Sequence, residues 1–200
     1  MSVVLELAAH GLRPALRMRP WLATDMPGLL AAMLREYPQA GLRSHPGIRI
    51  PGQRYWTGPR DEEEARLWLA GQQRGWKHGD WLTLAVLDVS LDLVVGQVGL
   101  MNRDGGPVGS GERGEISYWT DADFRGCGIA TAAVRAMTDW AFRRFGVAGL
   151  PRIMLVHYLD NPASCRVAAK SGYPFSQLSP ANPPYWFNDG HIHLAEAAVY

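Results

Sequence analysis

Residues 114–134, GEISYWTDADFRGCGIATAAV, contain the transition that decides the fold. GEISYWT (114–120) is typical of a β-strand, and the apolar residues after the turn recur at helical spacing. Arg125, Gly126 and Gly128 stand where the strand gives way to the helix. The first turn of a helix exposes unpaired N–H groups at the positive end of its dipole, and glycine lets a ligand approach the backbone closely. The turn is therefore a candidate site for an anion such as phosphate.

The residues after the turn predict a helix followed by a second strand. The helix is expected over 129–145, and Gly146 is expected to end it. RIMLVHYL (152–159) has the composition of a buried strand. A strand, a helix and a strand in this order predict a parallel strand pair with a right-handed crossover.

The sequence before the turn predicts two more helices and three more strands. Strands are expected over 12–21, 80–88 and 92–101, the last two forming an antiparallel pair, and helices over 25–37 and 61–75. The side chains expected to face the core from these helices are Leu30, Met33, Leu34, Tyr37, Ala65, Trp68 and Leu69.

The rest of the chain completes a mixed, mostly antiparallel sheet. A short helix is expected from Asn161 to Lys170, and a closing strand over 190–200, after a proline-rich tail. Residues 38–60 predict a long loop. We therefore expect an α/β (α+β) fold with a twisted sheet, in a single domain that covers 1–200.

Composition excludes several classes of partner. Twenty basic and nineteen acidic residues leave a formal charge of +1, so no global field favours nucleic acid or an anionic membrane surface. Cys127 and Cys165 are the only cysteines, and Cys127 lies in a presumed loop, so we expect no structural disulfide. With no apolar run of membrane-spanning length, we expect a cytoplasmic protein.

The glycine turn has three other interpretations: a phosphate-loop nucleotide site, a dinucleotide site, or a tight turn that binds nothing. A phosphate-loop nucleotide site is excluded, because no lysine followed by Ser or Thr closes the turn. A dinucleotide site is suggested by Gly126-Cys127-Gly128 after a strand, with Asp160 ending the next strand, but Thr131 occupies the third glycine position. The third reading is a turn that is merely tight.

The hexapeptide Arg125-Gly126-Cys127-Gly128-Ile129-Ala130 resembles the signature Arg/Gln-x-x-Gly-x-Gly/Ala of the GNAT superfamily of acyl-coenzyme A dependent N-acyltransferases. The wider pattern, including NPASCRVAAKSGY (161–173), is similar to the Rim-type (RimJ/RimL-like) branch, and the likeness spans most of 12–175. It implies a GNAT fold, with helices on both faces of the sheet and a parallel strand pair that splays apart. It also implies that acetyl-CoA is the cosubstrate. The residues themselves give no support for a metal site, so we expect no metal.

The resemblance assigns the coenzyme to the splayed strands and the glycine turn. Tyr118, Trp119 and Thr120 would lie along the pantetheine arm, and Asn161 would hydrogen-bond it. The residues implied around the pyrophosphate are Arg125, Gly126, Cys127, Gly128, Ile129 and Ala130.

Transfer to an amine requires a neutral nitrogen, and therefore a base. Glu115 matches an acid common at this position in the Rim-type branch, and burial would make its carboxylate more basic. The alternative is a strand-end charge paired with Arg113 or Arg152. Ser164 matches the serine of the family's Asn-x-x-Ser segment, so the resemblance implies a proton donor to the departing thiolate, although a plain helix-start role fits equally. The hydroxyl of Tyr173 is a further candidate donor, with packing as the alternative.

Histidine, cysteine and tryptophan residues offer further candidates for chemistry. His191 and His193 share one face of the closing strand, but the sequence offers no third metal ligand, so a packed or surface pair is favoured. Cys127 is favoured as a small, space-saving residue over a nucleophile. Tryptophans around the expected acceptor loops could shape an aromatic pocket, with core burial as the default. They are Trp56, Trp76, Trp81 and Trp186.

The sequence thus predicts an acetyl-CoA-dependent N-acetyltransferase. Its acceptor would be a primary amine, either a protein N-terminal α-amine or a small-molecule amine, attacked directly in a ternary complex of a monomer or homodimer. The alternatives are another acyl donor such as succinyl-CoA, or a non-catalytic acyl-CoA sensor on the same fold.

Overall fold

The computed structural model describes residues 3–36, 58–182 and 188–198. Eight strands and four α-helices are assigned in these ranges. The strands are β1 (Leu5–Leu7), β2 (Leu16–Pro20), β3 (Trp81–Asp88), β4 (Leu93–Asn102), β5 (Arg113–Thr120), β6 (Arg152–Tyr158), β7 (Phe175–Ser179) and β8 (Gly190–Glu196). The helices are α1 (Met26–Glu36), α2 (Glu62–His78), α3 (Ile129–Gly149) and α4 (Pro162–Lys170).

The strands form one sheet in the order β1-β2-β3-β4-β5-β6-β8-β7. Every neighbouring pair is antiparallel except β5 and β6, which are parallel and joined through α3. This confirms the predicted mixed, mostly antiparallel sheet with a crossover at its centre.

The parallel pair is joined over only half of its length. Pairing runs from Arg113 opposite Arg152 to Ile116 opposite Leu155 and then stops. Beyond that point β5 stays paired with β4 as far as Thr120, and β6 stays paired with β8 as far as Tyr158. The two strands therefore diverge at the centre of the sheet, as the family resemblance implies.

Helices cover both faces of the sheet, and each face has its own apolar core. On one face α3 buries Ala133, Val134 and Met137 against strand residues such as Leu84 and Ile153. On the other face, residues of α1 and α2 pack with Trp21 and Val94. The helix residues in this second core are Leu29, Ala32, Met33, Ala65 and Leu69, with Leu30 and Trp68 at its margin.

The sequence predictions of the elements need three corrections. Strands β1 and β7 were not predicted, because three and five residues are too few to show a clear alternation. Leu34 is 60% exposed, whereas Leu29 is fully buried, so the buried stripe of α1 lies on an adjacent face from the one predicted. The prediction that Gly146 ends the long helical run is confirmed, because its φ of 66° and ψ of −177° are non-helical; a short second helical segment follows this kink and ends at Gly149.

Some predictions lie outside the described residues. These are Tyr37, Trp56, Trp186 and most of the loop predicted over 38–60. Among the residues that are described, no helix is both long and apolar enough to cross a membrane.

Candidate active site

The divergence of β5 from β6 opens a cleft at the centre of the sheet. Its base is the last parallel pair, Ile116 opposite Leu155, and the preceding pair joins Glu115 to Met154. Side chains alternate along β5, so Glu115 and Trp119 face the α1–α2 side, while Tyr118 packs against the core on the α3–α4 side. The cleft thus presents different chemistry on each face of the sheet.

Buried polar atoms without a hydrogen-bond partner concentrate on β5. In the described part of the chain they are Ser117 Oγ, Trp119 Nε1, Thr120 Oγ1 and Trp81 Nε1, whereas Glu115 Oε2 has no hydrogen bond but forms an ion pair with Arg103. Native interiors satisfy nearly all such groups, so a row of them along one strand indicates a place where a polar ligand completes the hydrogen bonding.

Glu115 lies at the base of the cleft with its side chain 21% exposed. Its Oε2 is 3.1 Å from Nη1 of Arg103. Burial raises the pKa of the Glu115 carboxyl, and the positive charge of Arg103 opposes that rise. The predicted alternative partners are occupied elsewhere, because Arg113 pairs with Asp104 and Arg152 with Glu196. A carboxylate with a raised pKa in a cleft is suited to accept a proton.

The glycine turn has the open geometry that an anion site requires. Gly126 and Gly128 have φ of 80° and 84°, and a Cβ at either would meet no atom within 4 Å. Gly128 is the N-cap of α3, and no side chain caps the helix there. Asp121, which is buried just before the turn, accepts hydrogen bonds from Arg35 of α1 and so fixes where the turn begins. The turn is therefore uncovered where these Cβ atoms would stand, and no side chain of the N-cap satisfies the first N–H groups of α3.

A basic cleft continues from this turn. It has a volume of about 590 Å³, and Cys127 and Gly128 line it together with Arg13, Arg135 and Lys170. Two of the cations are held by backbone carbonyls, since Arg13 donates to Ala8 and Arg135 donates to Lys170. The positive charge favours a phosphorylated ligand that extends from the mouth of α3.

Helix α4 begins beside the opposite strand of the cleft. Asn161 is its N-cap and accepts a hydrogen bond from the Ser164 amide through Oδ1 at 3.2 Å. The Ser164 hydroxyl is 2.8 Å from the Tyr118 hydroxyl. This hydrogen bond joins α4 to β5 across the gap on the α3–α4 side. Burial raises the pKa of Tyr118, whereas the hydrogen bond with Ser164 lowers it.

Tyr173 does not join this arrangement. Its side chain is fully buried in the core, and its hydroxyl is hydrogen-bonded to Thr138 of α3. Burial raises the pKa of the phenol well above its ordinary range. These contacts fit the packing role that the sequence offered as the alternative, with Tyr173 between α3 and the end of α4.

Two predicted aromatic candidates can be located. Trp76 donates to the Thr83 carbonyl and packs against Trp140, which makes it a core residue. Trp81 lies partly buried on β3, where its unpartnered Nε1 is close to Gly99 and Ser117 on the face that carries Glu115. Of these two tryptophans, only Trp81 lies in register with Glu115, through Met101 of β4.

A second polar cluster, which the sequence did not reveal, lies beyond β6 on the α3–α4 face. His157 of β6 and Cys165 of α4 join the predicted pair His191 and His193 of β8. The pairing register of β6 and β8 brings the three histidines together, because His157 is opposite His191, and Leu155, two residues earlier, is opposite His193. Burial lowers the pKa of His157 and of His193. The expectation that no third ligand accompanies His191 and His193 is therefore corrected.

Solved structures of similar fold include several acetyltransferases. Mycobacterium smegmatis RimJ, in complex with CoA-disulfide, aligns with a TM-score of 0.74 and 22% identity over 97% of this chain and 87% of that one. The ribosomal-protein-S5-alanine acetyltransferase from Vibrio fischeri aligns with a TM-score of 0.72 and 18% identity, over 96% of this chain and 97% of that one. The microcin C7 self-immunity acetyltransferase MccE, in complex with acetyl-CoA and AMP, aligns with a TM-score of 0.68 and 14% identity, over 90% of this chain and 92% of that one.

Sequence comparison identifies the family. No curated protein matches the sequence significantly. The acetyltransferase (GNAT) domain family matches over residues 15–174, which include all the strands and helices from β2 to α4. The dinucleotide and phosphate-loop alternatives are thereby set aside. The chain belongs to the GNAT acetyltransferase family, and it is an acetyltransferase.

Proposed function

We propose that this acetyltransferase transfers the acetyl group to a primary amine, with a protein N-terminal α-amine as the first candidate acceptor. The amine attacks the thioester carbonyl directly, so that an amide forms and coenzyme A leaves as a thiol. The observation that carries the proposal is the position of Glu115, a partly buried carboxylate one residue from the end of the parallel pairing.

The row of unpartnered atoms on β5 and the open turn of α3 fit a coenzyme A thioester. Tyr118, Trp119 and Thr120 would contact the pantetheine arm, whose amides supply partners for strand groups. The six residues from Arg125 to Ala130 would surround the diphosphate, and Asn161 would contribute from α4. Arg135 and Lys170 extend positive charge from that turn along the basic cleft.

The acceptor nitrogen must be neutral when it attacks, and this requirement favours an α-amine. Deprotonating a lysine-like amine at pH 7 costs about 4 to 5 kcal/mol, whereas an α-amine costs about 1 to 1.4 kcal/mol. Glu115 would take the proton, directly or through a water molecule. Its raised pKa makes its carboxylate a stronger base than that of an exposed glutamate.

The departing sulfur needs a proton as the carbon–sulfur bond breaks. Ser164 lies at the first turn of α4 with its hydroxyl bonded to Tyr118, so a proton given by Ser164 can be replaced from the phenol. The two hydroxyls act as one donor group in this proposal. Ser164 is the residue that would contact the sulfur.

The acceptor assignment is supported by likeness of fold. The neighbours include an enzyme described as a ribosomal-protein-S5-alanine acetyltransferase and one described as a ribosomal L7/L12 α-N-protein acetyltransferase. We also propose that the catalytic domain occupies 1–200, because β1 and β8 belong to the same sheet as the cleft strands.

A panel of amines tests the proposal. Peptides with free and blocked N-termini, lysine side chains, amino sugars and polyamines are incubated with acetyl-CoA or succinyl-CoA, and released thiol is measured. We expect turnover with a free peptide N-terminus and acetyl-CoA. Glu115→Gln should lose about 10²- to 10⁴-fold in kcat/KM, whereas Glu112→Gln, an exposed acid three residues away, should behave as wild type.

The panel also separates the alternatives. Turnover of a small amine without turnover of any peptide would show that the acceptor is a small-molecule amine. A preference for succinyl-CoA would show that the donor is succinyl-CoA rather than acetyl-CoA. Coenzyme binding that survives Glu115→Gln, with no thiol release for any amine, would indicate an acyl-CoA sensor.

A further inference from the structure

The cluster formed by His157, Cys165, His191 and His193 has no part in the acetyl transfer described above. The Cys165 sulfur is 3.2 Å from His157 Nε2, 3.2 Å from His191 Nδ1 and 3.7 Å from His193 Nε2. His157 Nε2 and His193 Nε2 are 3.2 Å apart. All four candidate ligand atoms lie within 4.8 Å of one another.

The outer ring nitrogens of the two buried histidines determine which inner nitrogens carry protons. His157 Nδ1 is 2.7 Å from the Tyr158 carbonyl, and His193 Nδ1 is 3.2 Å from the Tyr173 carbonyl. A carbonyl oxygen only accepts hydrogen bonds, so each Nδ1 carries the proton and donates it. Each neutral ring therefore directs an Nε2 lone pair inward.

This arrangement leaves more lone pairs than protons at the centre of the cluster. The two Nε2 lone pairs face each other at 3.2 Å, where neither can donate to the other. The Cys165 thiol has one proton and can satisfy only one of them. A cation bound among the four atoms satisfies all of them at once, and carbonyl-anchored Nδ1–H groups are the usual support of histidine metal ligands.

We propose that His157, Cys165, His191 and His193 bind a divalent transition metal ion, with Zn²⁺ as the best fit. Zinc bond lengths and tetrahedral angles predict separations of about 3.4 Å between ligand nitrogens and about 3.6 Å between nitrogen and sulfur. The distances at Cys165 and between His157 and His193 are close to these values. The longest separation between ligand atoms is up to 4.8 Å and involves His191 Nδ1. His191 is only half-buried, so its ring has room to move on the order of 1 Å toward the other ligands.

Four protein ligands fill a tetrahedral shell, so the site is structural and does not bind substrate. Binding converts the Cys165 thiol to a metal-bound thiolate and releases its proton to solvent. The metal would tie α4 to β6 and β8, and Cys165 immediately follows Ser164 at the cleft. The ion would therefore hold the start of α4 in place.

Metal titration of protein without a polyhistidine tag tests the site. Cobalt added to the metal-free protein should give one equivalent of visible absorption typical of four-coordinate Co²⁺, together with a thiolate-to-cobalt charge-transfer band. One equivalent of Zn²⁺ should abolish both and raise the Tm. Cys165→Ser should remove the charge-transfer band, and His191→Gln should weaken Zn²⁺ binding beyond the roughly 10- to 100-fold loss caused by changes around ligands.

Matched variants outside the cluster serve as controls. Cys127→Ser and His78→Gln change the other cysteine and an exposed histidine, and both should bind cobalt as wild type does. The proposal fails if wild-type protein shows no stoichiometric Zn²⁺ or Co²⁺ binding. It also fails if a bound metal is unaffected by Cys165→Ser and His191→Gln. Because the cobalt spectrum is read on wild-type protein, the test does not depend on a variant that folds, and it is independent of the acceptor amine.

Discussion

Removing the cation beside Glu115 is predicted to move the acid limb of the pH profile. Glu115 acts as a base only in its carboxylate form, so kcat/KM rises with pH as that form appears. Burial raises the pKa of Glu115, and Arg103 lowers it by favouring the carboxylate. In Arg103→Ala the pKa rises further, so less carboxylate is present at a given pH. The acid limb therefore moves to higher pH.

The size of the effect follows from the geometry of the pair. At 3.1 Å, two unit charges attract by about 1.3 kcal/mol in a water-like dielectric and by about 5 kcal/mol at an effective dielectric constant of 20. The Arg103 side chain is 55% exposed, so solvent screening makes the lower value appropriate. An energy of about 1.3 kcal/mol corresponds to roughly a tenfold loss of kcat/KM on the acid limb, with little loss on the plateau.

The assay is thiol release at subsaturating amine, measured across the acid and neutral range. Arg152→Ala removes an exposed cation of the neighbouring strand end and should leave the limb in place. Glu115→Gln should abolish the limb along with most of the activity. The reasoning is refuted if Arg103→Ala superimposes on wild type, or if Glu115→Gln keeps a limb at the same pH.

Three other substitutions separate stability from catalysis. Tyr173→Phe loses the hydrogen bond to Thr138, so urea unfolding should show about 0.5 to 1.5 kcal/mol of destabilisation with kcat unchanged; a large fall in kcat would instead indicate a catalytic role. Ser164→Ala should lower kcat at least tenfold and cost about 0.5 to 1.5 kcal/mol of stability through the lost hydrogen bond to Tyr118, and an unaltered kcat would exclude Ser164 as the donor. Arg35→Ala leaves the buried Asp121 without its cation and should cost about 1 to 3 kcal/mol in urea unfolding, whereas an unchanged midpoint would show that the pair does not stabilise the turn.

The central unit of the fold could be predicted because its signals are local. The apolar spacing of α3, the glycines before it and the buried composition of β6 each have one dominant interpretation. The edges were harder to predict. Strand β1 has three residues, and the exposed β7 lacks an alternating pattern, so both depend on pairing with a neighbour for their existence.

In the candidate site, too, the residues marked by local sequence signals could be predicted and those brought together by the fold could not. Glu115 and the glycine turn are contiguous with the strand and helix that position them, so the motif locates them. The sequence could not predict that Arg103 rather than Arg113 or Arg152 contacts Glu115, because that choice depends on how the loop before β5 folds. Nor could it bring together His157 and Cys165, which are eight residues apart, with His191 and His193, because only the β6–β8 register does so.

The most direct test of the central claim is a calorimetric titration with coenzyme A that compares two substitutions. Gly128→Asn introduces a residue that tolerates positive φ, and its side chain fills the open space at the start of α3. Gly105→Asn is the control, because it makes the same change at a φ of 89° in another loop, also in open space. We predict one coenzyme site in wild type and Gly105→Asn, and binding at least tenfold weaker in Gly128→Asn. Equal affinity in all three proteins would contradict a diphosphate site at the mouth of α3.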